Sequence, residues 1–97
     1  MNKSNLEKIL VDELQYSNYE ASLTANDLMQ LQPQLIPAVE KWGKDRTETD
    51  INIMGFSAKQ LMKSKHFTYP AALIALDWLL TEPEIAKKEL GSDIVRK

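Results

Sequence analysis

SAKQLMKSKHFTYPAALIALDWLL, residues 57–80, carries the decision about the fold. Ser57, followed three residues later by Gln60, is a helix-start signature. A hydroxyl at that position accepts a hydrogen bond from a backbone N–H that the first helical turn leaves free. The short helix over 57–63 turns Leu61 and Met62 to one side and Lys59 and Lys63 to the other. A basic turn through Lys65 and His66 leads to a second helix at Pro70, where fixed φ and a missing N–H suit a first turn. The outline is that of a helix-turn-helix, so the second helix must be tested as a DNA reader. A recognition helix presents Arg, Lys, Asn or Gln to base edges. Residues 71–80, AALIALDWLL, contain none of these. Apolar residues surround the segment on nearly every side, the pattern of a helix enclosed by others. Fully burying each large side chain contributes about 1.5–3 kcal/mol, which makes 70–80 the central helix of the core.

The rest of the chain reads as further short helices around it. Ser4 and Glu7 form a capping box, and Leu6, Ile9, Leu10 and Leu14 then share one face, which predicts a helix over about 5–14. Tyr19, Ala21 and Leu23 alternate, and 18–23 is read as a short extended segment. Thr24 with Asp27 starts a helix whose buried stripe is Ala25, Leu28 and Met29, ended near Leu31 by Pro33. A further piece, with Pro33 or Pro37 in its first turn, carries Val39 and Trp42 and stops at Gly43. KDRTETD, 44–50, is a loop. Ile51 and Ile53 lie on one side of a second extended segment, 50–55, broken by Gly55. Thr81 and Glu84 cap a last helix ending at Gly91. The expected fold is mainly α: a compact bundle of about six short helices around 70–80, in a single domain over residues 1–97.

An internal echo runs through this pattern. Residues 23–45 align without a gap on 56–78, an offset of 33. Ala25/Ala58, Leu28/Leu61, Met29/Met62, Pro37/Pro70 and Ala38/Ala71 are identical. A pseudo-symmetric pair of strand-helix-helix units would account for a helix-turn-helix outline without DNA.

Composition narrows the function. The chain of 97 residues is 43% hydrophobic and 27% charged, ordinary globular values. It has no cysteine, hence no disulfide, thiolate nucleophile or thiolate metal site. The start, MNKSNLEKILVDEL, is too regularly charged for a signal peptide. The apolar run at 70–80 is far shorter than the roughly 20 residues of a spanning helix. A cytoplasmic location is expected. The net charge of −2 gives no general attraction to nucleic acid or anionic membrane. The halves differ, however: residues 1–55 hold five basic and nine acidic side chains, residues 56–97 seven and five.

Few residues suggest chemistry. Lys59, Lys63 and Lys65 form the basic cluster and are the candidate nucleic-acid contacts, although three cations give little affinity at physiological salt. His66 is the single histidine, with neither cysteine nor a second histidine to complete a transition-metal site. Asp77 is a carboxylate inside an apolar helix, a candidate buried acid whose burial would require a partner. The glycines, Gly43, Gly55 and Gly91, stand at expected element ends and form no phosphate-cradling loop. Tyr16 and Tyr19 are the aromatic candidates for a protein contact, and Trp42 and Trp78 are expected in the core. The reading is a non-enzymatic interaction or accessory protein with no catalytic residue, cofactor, metal or small-molecule ligand, binding a protein partner or a second copy of itself. The alternative is a DNA-associated regulator using the basic face of 57–63.

Overall fold

A computed structural model describes the backbone of residues 2–95 and the side chains of residues 2–91. The chain is mainly α, as its sequence indicates. It gathers into two compact units, residues 1–49 and 50–97.

The first unit begins with α1 (Lys3–Leu14). Its cap is Asn2, whose side chain accepts a hydrogen bond from the Asn5 N–H at 2.8 Å, rather than Ser4. Asn is as good a cap as Ser, and the earlier start brings Lys3 within 3.7 Å of Glu7, one turn on. Leu6, Ile9 and Leu10 are buried. Gln15, in the left-handed region at φ 59°, turns the chain after α1.

α2 (Asn18–Met29) follows immediately, and this corrects the extended segment expected at 18–23. Ser17 Oγ accepts from the Glu20 N–H and Glu20 Oε1 accepts from the Ser17 N–H, each at 3.1 Å. This reciprocal box starts the helix seven residues before Thr24, which lies inside it. The alternation of Tyr19, Ala21 and Leu23 is equally compatible with a helix. Ala21 is buried with Ala25 and Leu28, while Tyr19 and Leu23 lie on the opposite side. The two alanines let α1 approach closely, and α1 against α2 is the most extensive helix contact of this unit.

α2 ends at Met29. A 3-10 turn (Pro33–Leu35) then buries Leu35 and leads into α3 (Ile36–Asp45). Ala38, Val39 and Trp42 are its buried stripe. Gly43 does not stop it but is a buried residue within it. The stop is Arg46, left-handed at φ 64°.

The second unit opens with a hairpin. β1 (Asn52–Ile53) and β2 (Phe56–Ser57) pair antiparallel, Asn52 opposite Ser57 and Ile53 opposite Phe56. Met54 (φ 52°) and Gly55 (φ 86°) form the two-residue loop, and Asn52 Oδ1 accepts from the Gly55 N–H at 3.2 Å. Positive φ at both loop positions matches the right-handed twist of the strands. Ser57 then caps α4 (Ala58–Lys65), accepting from the Gln60 N–H at 3.0 Å.

α5 (Tyr69–Thr81) is capped by Thr68, with Pro70 in its first turn. It is the central element of this unit: α4, α6 and β1 all pack on it. Tyr69, Pro70, Ala72, Leu73, Ala75, Leu76 and Leu79 are buried. α6 (Pro83–Val95) starts behind Glu82, because Thr81 is the last residue of α5 and cannot cap its successor. It also passes through Gly91 instead of ending there.

The echo at offset 33 has a partial structural counterpart. α3 starts at residue 36 and α5 at residue 69, and Ala25, Ala58, Leu28 and Leu61 are all fully buried. The first copy lacks the expected strand, since α2 occupies that place.

Candidate functional site

The basic cluster lies on α4 and is solvent-facing. Lys59 and Lys63 are exposed one turn apart, and Lys65 is partly covered. The backbone N–H of Lys59 donates to Asp50 Oδ1 at 3.0 Å, so an acidic side chain stands at the start of this helix. Lys63 and Lys65 occupy the last turn of α4, where cations complement the helix dipole. His66, exposed and left-handed at φ 59°, terminates the helix. α5, the helix that a DNA reader would insert, spends its surface on the core.

Asp77 is half-buried and not a core acid. It shares the outer stripe of α5 with Ala71, Ile74 and Trp78, all partly exposed, while Ala72, Leu73, Ala75, Leu76 and Leu79 are buried on the other sides. Trp78, expected in the core, is also half-buried, because its indole Nε1 donates to Glu82 Oε1 at 2.9 Å near the surface. Trp42, at 3% exposure, is buried.

A dense polar arrangement surrounds Arg46, at the end of α3. Its Nε donates to Glu13 Oε1 and its Nη2 to Glu13 Oε2, both at 2.9 Å, a bidentate pair with α1. Nη1 donates to the carbonyls of Gly43 at 2.9 Å and Trp42 at 3.2 Å, which the helix end leaves open. The guanidinium also stands 5.9 Å from the centroid of the Trp42 ring. The hydrogen bond from Arg46 holds the Glu13 carboxyl below its usual range, and the same bond raises Arg46. One residue earlier, Asp45 is lowered by hydrogen bonds from the Thr47 hydroxyl and backbone N–H.

Beside this clamp runs an open groove of about 320 Å³ between α1 and α3, walled by Asn5, Lys8, Asp12 and Lys44. Its charges are of mixed sign, and the guanidinium is already committed to Glu13. Arg46 therefore acts as a fastener between α1 and α3. Its partner is 33 residues away, and nothing local in KDRTETD identifies it.

Among the described residues, no three His, Asp or Glu side chains gather closely enough to hold a metal. Every buried side-chain nitrogen or oxygen there has a hydrogen-bond partner. No helix described is long and apolar enough to cross a membrane.

Among the described residues, exposed large apolar side chains are Met54 and Ile85, which stand singly, and three on α2. Tyr19 is 74% exposed, Leu23 48% and Met29 43%. Tyr19 and Leu23, one turn apart, share with the polar, exposed Asn26 the face opposite Ala21 and Leu28, and Met29 stands to one side of that face at the end of α2. Met29 also borders a notch of about 80 Å³ lined by Leu28, Ile36, Val39 and Glu40. Of the two tyrosines singled out in the sequence, Tyr19 belongs to this stripe and Tyr16 is half-buried at the turn before α2.

Comparisons with protein-family models, curated proteins and solved structures return no match. The class that can be stated is a small, mainly α protein.

Proposed function

We propose that the protein is a small, cytoplasmic, non-enzymatic interaction or accessory protein, and that the outer stripe of α2 is its contact surface. The observation that supports this is the exposure of Tyr19, Leu23 and Met29 on one helix. Exposed apolar patches mark interaction surfaces, and tyrosine supplies a large, stiff contact area with one polar end.

Site-specific photo-crosslinking tests it. A photoreactive residue at position 19 or 23 is expected to join the chain to a protein in cells, whereas the same residue at position 48 does not. Equal yields at 19, 23 and 48 overturn the proposal.

A DNA-associated regulator is the second reading, supported by the exposed pair Lys59 and Lys63. It requires DNA binding that weakens steeply with salt and with Lys59→Ala and Lys63→Ala. Salt-independent binding, or none, removes it.

A further inference from the structure

The surroundings of the α2 stripe describe what it would accept. Between Lys8 and Lys41 the chain has no cation, yet it carries Asp12, Glu13, Glu20, Asp27 and Glu40. Three of these acids border the apolar stripe. Glu20 and Asp27, seven residues apart and both exposed, follow one edge of it by helical spacing. Glu40 stands at the notch on the Met29 side. Lys44, one turn beyond Glu40, lines the α1–α3 groove. The result is an exposed apolar surface with two carboxylates along one edge and a third beside the small notch at its Met29 end.

We propose that the stripe of Tyr19, Leu23 and Met29 receives a basic amphipathic helix of a partner protein. Its apolar side lies on the stripe, and its lysine or arginine side chains meet Glu20, Asp27 and Glu40. This rests on the interaction reading above and deepens it by naming the chemistry of the partner. Lysine and arginine fit both parts of the surface, because their methylene stems cover apolar area while the charged ends reach the carboxylates. An acidic helix would set like charges against three carboxylates, which costs both affinity and encounter rate. Amphipathic helices recognised in this way present apolar anchors at spacings of three and four, and Tyr19 and Leu23, four residues apart, offer that spacing.

The test uses the full chain, isotope-labelled, and three peptides of about 18 residues, long enough to hold a helix on contact. One is a Leu/Lys amphipathic helix, the second its Leu/Glu twin, and the third has the composition of the first with the leucines scattered. The first is expected to bind about tenfold tighter than either of the others at low salt, with the advantage over the twin shrinking as salt rises. Its amide shifts should map to 19–30. Leu23→Ser should weaken it several-fold and leave the scattered peptide unchanged; an unaltered unfolding midpoint confirms that the variant folds.

Equal binding of the Leu/Glu twin, shifts confined to α4, or indifference to Leu23→Ser would each overturn the proposal. So would concentration-dependent shifts of 19–30 without peptide, which assign the stripe to a second copy. Crosslinking at 19 and 23 to a protein, combined with failure of the Leu/Lys peptide, retains the interaction reading and removes this one.

Discussion

Gly91→Ala separates two accounts of the end of the chain. In one, Gly91 is the left-handed residue that stops a helix, as its place in the sequence suggests. In the other, it is an interior residue of α6, as the structure has it. The energies have opposite signs. Within a helix, alanine is favoured over glycine by roughly 0.5–1 kcal/mol, because glycine loses more backbone freedom on folding. A Cβ at Gly91 would lie 3.8 Å from Phe56 Cζ, an ordinary contact, so no clash offsets that gain. In the left-handed region the same methyl costs about 1–2 kcal/mol.

The variant should therefore be more stable, raising the melting temperature of the transition that includes residues 50–97 by about 2–8 °C. Gly55→Ala supplies the reference of opposite sign. It has open space around it but a φ of +86°, so it should lose about 1 kcal/mol or more. Thermal and urea melts of the two variants beside the parent decide the matter. A Gly91→Ala variant destabilised to the extent of Gly55→Ala refutes a helical Gly91.

Met54→Asn should gain about 0.5–1 kcal/mol in denaturant melts, since Met54 is left-handed at φ 52° and Asn-Gly is the favoured pair for this hairpin loop. Leu76→Ala should cost about 2–5 kcal/mol, because Leu76 is fully buried on α5 and its loss leaves a cavity; a loss below 1 kcal/mol would mean α5 is not the centre of its unit. Ser17→Ala should cost about 1 kcal/mol while Thr24→Ala costs little, which places the start of α2 by calorimetry. Glu13 has its pKa lowered in the fold, so its contribution is complete above the ordinary carboxylate range and disappears as pH falls through the lowered value. Melting temperatures of the parent and Glu13→Gln should thus differ at neutral pH and converge in acid; a gap that persists there contradicts the Arg46–Glu13 account.

What could be read from the sequence was decided by whether one periodicity excluded the other. AALIALDWLL is apolar around a whole helical turn, and neither a strand nor an exposed helix could tolerate it, so α5 was legible. Ser57 was legible because it stands before an uninterrupted helical run, with Gln60 completing the box, whereas Thr68, the cap of α5, was obscured by the more conspicuous Pro70. YEASL is different, because Tyr19, Ala21 and Leu23 satisfy a period of two while Ala21, Ala25 and Leu28 satisfy the helical period. Only the Ser17–Glu20 box breaks the tie. Gly43 and Gly91 misled for a related reason: glycine ends helices, but it also occurs inside them, and here both lie within helices. Arg46 was invisible because its partner Glu13 belongs to another helix, and no local pattern encodes a pairing 33 residues long.

α2 inverts the common arrangement of size on a helix. It buries Ala21 and Ala25, small residues that permit close packing with α1, and leaves Tyr19 and Leu23 outside. Of the stripe Ala25, Leu28 and Met29 expected in the core, Met29 is 43% exposed, and the outer side of α2 shows in the sequence only through Tyr19. The inversion bears on function. A core residue explains itself by the contacts it makes, whereas an exposed tyrosine and leucine one turn apart gain nothing from the fold that serine would not give. If that is so, Tyr19→Ser and Leu23→Ser should each change stability by no more than about 0.5 kcal/mol, as surface substitutions do. A loss of 2 kcal/mol or more from either, of the order expected for a buried side chain, would show that the stripe serves folding, and the interaction surface would have to be sought elsewhere.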